Sequence, residues 1–265
     1  MLFRSWQPTL GGSELAFGPE PRQDYELEVG LWFGGAGNAH GRPLSMAQAG
    51  EALFGICLLN DWSARGIQYW ETMLGPFLGK SLATTVSPWI ITVEALAPFR
   101  VPAFARPPGD PAVPAHLQAA TDQQSGGFDI ALSAHLQTAA MRTAGAAPEV
   151  ICRTNFRHMY WTFAQMVAHH ASNGCALAAG DLIGSGTCSG PEASEAACLA
   201  ERQAAGPTQL ANGETRAWLE DGDAIVLRGR ASREGYVSIG FGEASGWIEP
   251  ALAWPFEATV ASPSR

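Results

Sequence analysis

The chain has 265 residues, 46% of them apolar and 15% charged, which suits one large globular domain with an ordinary core. Sixteen Lys and Arg against twenty-five Asp and Glu leave a net charge of −9, and that balance argues against a nucleic-acid or anionic-membrane surface. No run approaches the ~20 apolar residues a membrane helix needs, and Met1 to Leu10 holds no apolar stretch of signal-peptide length.

Thirty glycines and eighteen prolines punctuate many short apolar segments, so the expected fold is mainly β with a few helices. Asp24 to Phe33 (DYELEVGLWF) alternates, with Tyr25, Leu27, Val29, Leu31 and Phe33 on one side and Glu26 and Glu28 on the other. Met46 to Leu59, rich in Ala and Leu, reads as a helix, and a further helical turn is expected after Asn60. Ser87 to Val93 is a strand candidate. The Pro/Ala/Gln/Gly-rich stretch between Pro98 and Gly127 reads as a long excursion joining two parts of one β core. Phe128 to Leu136 is another strand candidate. Asn155 to Ala171 is the clearest helix, with Met159, Phe163, Met166 and His170 at helical spacing and Asn173-Gly174 as its stop. Asp223 to Leu227 and Tyr236 to Phe241 complete the strands. Five cysteines, odd in number, dispersed and never in C-x-x-C spacing, point to reduced thiols in a cytoplasmic protein.

Four segments carry candidate chemistry. Glu26 and Glu28, two apart on a strand, would sit about 7 Å apart on one face. A cation between them would relieve their repulsion, and oxygen ligands suit Ca²⁺ or Mg²⁺. On spacing alone, an acidic polar face of a half-buried strand is the better-supported alternative. In NDWSARGIQYWE, Asp61, Arg65 and Gln68 share one face if the segment is helical, as an exposed i,i+4 ion pair would too. LGPFLGKSLATT lacks P-loop spacing, because Gly75 to Gly79 encloses three residues rather than four. It remains a glycine-rich turn delivering Lys80, Thr84 and Thr85, and a lysine beside acidic ligands can stabilise developing negative charge. In GDLIGSGTCSGPE, small residues flanking Thr187 allow close approach of a ligand, or simply a tight turn. Histidines His158, His169 and His170 are assigned to packing or capping, and His40, His116 and His135 to turns.

Together these segments resemble the C-terminal catalytic domain of the fumarylacetoacetate hydrolase family. The most specific stretch is NDWSARGIQYWETMLGPFLGKSLATTVSPW, Asn60 to Trp89. The resemblance continues through NFRHMYWTFAQMVAHH, NGC, GDLIGSGTCSGPE and GYVSIGFGE, from about Phe17 to Trp254. It implies a mixed β-sandwich roll, a homodimer and a divalent cation, Ca²⁺ or Mg²⁺. Carried over residue by residue, it makes Glu26, Glu28 and Asp61 ligands of the catalytic cation. Lys80 and Thr84 fall at an auxiliary cation site shared with Asp61, and Lys80 also polarises the scissile carbonyl. Arg65, Gln68 and Thr187 fall at substrate-binding positions, and Glu201 at the glutamate that orients a catalytic histidine. The implied reaction hydrolyses a carbon–carbon bond in a β-diketone. For fumarylacetoacetate the products are fumarate and acetoacetate, the last step of tyrosine and phenylalanine breakdown.

The resemblance also has gaps. The family's fourth metal carboxylate, catalytic histidine and a substrate arginine lie well upstream of the paired glutamates, and here 25 residues precede Glu26. Thr72 stands where a tyrosine is expected, and Gly66 where an aspartate is usual. The expectation is a single incomplete catalytic domain over residues 1–265, truncated before its N-terminal domain. Alternatives are a family member acting on another β-keto or acylpyruvate-type substrate, and a non-catalytic metal-binding relative. The intact DWSAR and GPFLGKS segments favour truncation over lost catalysis.

Overall fold

The structure is a computed structural model that describes residues 4–75 and 77–252. A hairpin of β1 (Arg4–Pro8) and β2 (Leu15–Pro19) comes first, with Trp6 and Phe17 meeting edge to face at 6.1 Å between ring centroids. The alternating segment then forms β3 (Leu27–Phe33). Tyr25, Leu27, Val29, Leu31 and Phe33 are all buried, as the alternation predicts.

The helix expected over Met46–Leu59 is corrected. Only α1 (Met46–Ala52) is helical, started by a capping box between Ser45 and Gln48, and the chain then becomes β4 (Leu53–Asp61). Ile56, Cys57, Leu58 and Leu59 are all buried, so the strand presents apolar residues to both faces. A run buried on both sides has no period to separate strand from helix. The turn after Asn60 is helical as expected, forming α2 (Arg65–Glu71).

Two antiparallel sheets follow. β8 (Leu182–Gly184), β3, β4 and β5 (Thr84–Val86) lie in that order, and the two-residue strand Ile91–Thr92 also pairs with β4. The expected strand Ser87–Val93 is thus confined to Ile91–Thr92. The second sheet has the order β7 (Glu149–Asn155), β6 (Ala131–Gln137), β9 (Ala224–Ala231) and β10 (Ile239–Trp247). The last strand starts later than expected because a turn at Arg233–Tyr236, with Gly235 at φ +80°, takes up its first residues.

The excursion after Pro98 carries α3 (Ala120–Ser125), and the short helix α4 (Ala139–Thr143) joins β6 to β7. Arg106 tethers the excursion, its guanidinium lying 4.4 Å from each of the Tyr160 and Trp161 ring centres. The helix expected over Asn155–Ala171 is split. A 3₁₀ turn spans Phe156–His158, and α5 (Phe163–His170) begins only after Thr162, whose hydroxyl and Gln165 form a capping box. The Asn173-Gly174 stop holds, with Gly174 at φ +84°. His135 is buried within β6 rather than beside a turn. A last short helix, α6 (Leu199–Arg202), lies near the start of β3.

The core sits between the inner faces of the sheets, where Val29, Ile56 and Leu58 join Leu132, Ile225, Leu227 and Phe241. The sheets approach so closely that a Cβ on Gly229 would lie 2.8 Å from Leu58 Cδ2. A second cluster fixes α1 against α5 through Met46, Ala49, Ala164 and Val167. Among the described residues, no helix is long and apolar enough to cross a membrane. Leu58→Ala should destabilise the chain by about 2–5 kcal/mol, read from urea unfolding, since it opens a cavity at the contact between the sheets.

Candidate functional site

Glu26 immediately precedes β3 and Glu28 is its second residue, whereas Asp61 closes β4. Antiparallel register pairs Leu27 with Asn60, so the start of one strand meets the end of the other. The oxygens of Glu26, Glu28 and Asp61 consequently lie within 4.8 Å of one another. Both glutamates are buried and Asp61 is half-buried. The Asn60 side-chain oxygen accepts the Glu26 amide at 3.1 Å, and Glu28 Oε2 accepts the Gly186 amide at 2.9 Å.

Two cations from the next segment reach this group. Lys80 Nζ lies 2.6 Å from Glu26 Oε2 and 3.0 Å from Asp61 Oδ2, and also donates to Ser63 Oγ at 2.9 Å. Arg65 bridges Asp24 (Nε to Oδ2, 2.9 Å) and Glu26 (Nη1 to Oε1, 2.8 Å), and its Nη1 also donates to Gln68 Oε1 at 2.9 Å. Asp24 is fully buried and accepts the Tyr25, Leu199 and Ala200 amides as well. The expectation that Asp61 and Arg65 share a helical face is corrected. Asp61 ends a strand, and Arg65 starts the helix beyond it and turns to Asp24 and Glu26 instead. An exposed surface pair is excluded too, because Arg65 is only 5% exposed.

The crowding shows in the ionisation of these groups. Burial, reinforced by the hydrogen bond and charge of Glu26 and by the charge of Asp61, pushes Glu28 up to about 9. Burial works on Glu26 in the same direction, but Arg65, with help from Lys80 and the Glu28 hydrogen bond, outweighs it and holds Glu26 below its ordinary value. Burial raises Asp61 despite Lys80 beside it. For Arg65, burial opposes the charge, and Asp24 and Glu26 more than restore it. Three converging carboxylates form a hard oxygen donor set, the kind taken by Ca²⁺, Mg²⁺ or Mn²⁺. Their mutual repulsion, which adds to burial in raising Glu28, is what a divalent cation would relieve. The residues present therefore fit such an ion.

The remaining sequence candidates divide. Thr84 lies opposite Asp61 in the β4–β5 register with an exposed side chain. Gln68 is held against Arg65. Thr187 is half-buried in the loop after β8, next to the Gly186 amide that binds Glu28. Glu201 stands apart from the cluster on α6, where its carboxylate accepts the Ser189 hydroxyl. Among the described residues the acidic cluster includes no histidine, so the imidazole that the resemblance assigns to Glu201 is not found beside the carboxylates. His158 faces Glu195 instead, at 3.8 Å.

Sequence reasoning missed Asp24, Ser63 and Gly186. Asp24 was within reach, because the alternation that puts Glu26 and Glu28 on one side extends back to it. Gly66 has a steric reason. A Cβ there would lie 2.5 Å from Gln7 Oε1, 2.7 Å from Arg22 Nη1 and 2.8 Å from Glu20 Oε1, so the N-terminal hairpin and the turn after it fill the space of a side chain.

The pattern of the family described as Fumarylacetoacetate (FAA) hydrolase C-terminal matches residues 9–245. The chain is 45% identical over 234 residues to fumarylacetoacetase of Bos taurus, covering 87% of this chain and 53% of that one. It is 43% identical over 242 residues to fumarylacetoacetase of Arabidopsis thaliana, covering 91% and 55%. The chain thus spans about half the length of the curated relatives it matches. Its fold is similar to that of fumarylpyruvate hydrolase from Pseudomonas aeruginosa, solved with Mn²⁺ and pyruvate. The TM-score is 0.51 at 17% identity, with 88% of this chain and 68% of that one covered.

Arg65→Met should lower stability by about 3–5 kcal/mol, because it leaves Asp24 charged and buried without its partner. Thermal unfolding followed by circular dichroism would show the drop.

Proposed function

Because the chain belongs to the fumarylacetoacetate hydrolase family, we propose that it forms the cation-binding part of a hydrolase cleaving a carbon–carbon bond in a β-diketone of the fumarylacetoacetate type. The observation that carries this reading is the convergence of Glu26, Glu28 and Asp61 within 4.8 Å, flanked by Lys80 and Arg65.

Glu26, Glu28 and Asp61 would hold Ca²⁺ or Mg²⁺, with Lys80 and Thr84 flanking Asp61 at the auxiliary cation position. A bound divalent cation would supply Lewis acidity that polarises the diketone. The chain's own groups bind, orient and stabilise charge. Arg65 Nη2 is buried and has no hydrogen-bond acceptor among the described residues, which leaves it as a donor for a substrate oxygen. Asp24 and Glu26 already fix that guanidinium, so little reorganisation accompanies binding. Gln68, oriented by Arg65, retains its amide nitrogen as a second donor, and Thr187 offers a hydroxyl from the loop beside Glu28.

Water adds to one carbonyl carbon, and the bond to the neighbouring carbon breaks. The electron pair leaves with the departing fragment as an enolate, which then takes up a proton. Lys80 keeps positive charge beside the place where the oxyanion and enolate develop. For fumarylacetoacetate the products are fumarate and acetoacetate.

A homodimer belongs to the same proposal. Trp70, Met73 and Leu74, on α2 and the turn after it, are 51%, 95% and 87% exposed, an apolar patch of the kind a second copy covers. Sedimentation should give a mass of two chains.

The test of function is loss of fumarylacetoacetate absorbance with the purified chain, in Mg²⁺ or Ca²⁺ and in chelator. With no histidine beside the carboxylates among the described residues, cation binding by calorimetry without turnover is expected, weakened by about 100-fold or more in Glu28→Ala. Metal-dependent loss that vanishes in Glu28→Ala would make this chain a working hydrolase by itself, and absence of cation binding would refute the reading.

A further inference from the structure

Lys80 is the single lysine of the 265-residue sequence, and every other permanently charged basic side chain is an arginine. Arginine is a rigid planar fork, whereas lysine places a compact point charge on a flexible stem. That charge reaches Glu26 and Asp61 from a turn rather than from a strand or helix, so something must hold the turn. Within the turn itself, the Lys80 and Ser81 amides donate to the Phe77 carbonyl at 3.3 and 3.0 Å.

Glu71, the last residue of α2, supplies the rest. Its carboxylate gathers three consecutive backbone amides of the turn. Oε1 accepts from Phe77 at 2.9 Å and Gly79 at 2.6 Å, and Oε2 accepts from Leu78 at 3.2 Å. Its own carbonyl accepts the Leu74 and Gly75 amides at 3.1 and 2.9 Å, closing the turn from its other side. Gly79 then lies flat against α2, where a Cβ would stand 2.7 Å from the Gln68 nitrogen, and its carbonyl accepts the Ala64 amide at 2.9 Å. The next residue is Lys80. A carboxylate at a helix C-terminus has the unfavourable sign for the helix dipole. Three converging amides are an anion cradle that offsets the penalty.

We propose that Glu71 is a positioning residue, which sets the 77–79 turn against α2 and thereby aims Lys80 at Glu26 and Asp61. Its consequence for turnover rests on the hydrolase reading, but the placement itself can be measured without substrate or cation. Because the chain has one lysine, acetylation by an N-hydroxysuccinimide ester, read by peptide mass spectrometry, reports on Lys80 without interference from another lysine. A short unstructured lysine peptide in the same tube sets the reference rate.

Glu71→Asp keeps the charge but, one methylene shorter, cannot reach all three amides, whereas Glu71→Gln keeps the reach and one accepting oxygen. If geometry positions Lys80, the Asp variant should acetylate at least about tenfold faster than the unmodified sequence, in line with losing charge-assisted hydrogen bonds. The Gln variant should fall between them, with circular dichroism and amide exchange in β3 and β4 unchanged in both. Equal shielding in Glu71→Asp and the unmodified sequence would overturn the proposal. So would a Gln variant that exposes Lys80 more than the Asp variant does, because charge and not reach would then set the lysine.

Discussion

The arrangement turns on the Arg65 guanidinium, which spans Asp24 and Glu26 inside the protein. Four carboxylates meet where β3 begins and β4 ends, and burying them together is unfavourable unless positive charge accompanies them. Arg65 and Lys80 answer two of the four. The excess equals the charge of one divalent ion. Without such an ion, burial, with the charges of Glu26 and Asp61 beside it, raises Glu28 to about 9, and a proton there removes one of the two excess charges. Burial and charge mismatch together account for the shifted glutamate, and the mismatch for the fit of the group to a hard cation.

The supporting structure divides this task. The anions come from two central antiparallel strands whose register is enforced by a core packed against the second sheet. Register errors are costly there, because a one-residue slip would take Val29, Ile56 and Leu58 off the face that packs against the second sheet. The cations come from the segment that follows β4. Arg65 stands at the first residue of α2, and that helix is seated by the Glu20 carboxylate accepting the Ile67 amide at 2.8 Å, since Ala64 at its N-cap provides no side-chain oxygen. Gly66 admits the hairpin that brings Glu20 there. Gly66 is therefore tied to the packing of the N-terminal segment against α2.

Much of this was legible in the sequence, for identifiable reasons. The period-2 pattern from Tyr25 to Phe33 is a direct imprint of a strand with one apolar face, and it put Glu26 and Glu28 on one side without any structural knowledge. β4 was not legible, because Ile56 to Leu59 is buried on both faces and carries no period. The late start of α5, after Thr162, was missed although its signal is local, a Thr followed three residues later by Gln. Asp61, Lys80 and Arg65 could be identified by resemblance but not paired. Which carboxylate each cation meets depends on the strand register and on a turn closed by Glu71, and neither is written in residue spacing. Glu201 was reached by resemblance alone, and among the described residues its carboxylate accepts the Ser189 hydroxyl.

The two cations differ in what they permit. Arg65 is only 5% exposed and bonded on two sides, so it belongs to the fixed frame. Lys80 is held by a turn and shares its ammonium among Glu26, Asp61 and Ser63. Glu26 has both oxygens engaged, one by each cation, and Glu28 gives one oxygen to Gly186. A carboxylate oxygen has two lone-pair directions, so an incoming ion can share Glu26 and Asp61 with the ammonium. It cannot do so without bringing two positive charges close together. A point charge on a flexible stem can adjust to such a neighbour where a planar fork bonded on two sides cannot. Rigid placement of the anions, with adjustable placement of one cation, is what a site needs if it is to accept an ion and still keep a positive charge beside the substrate.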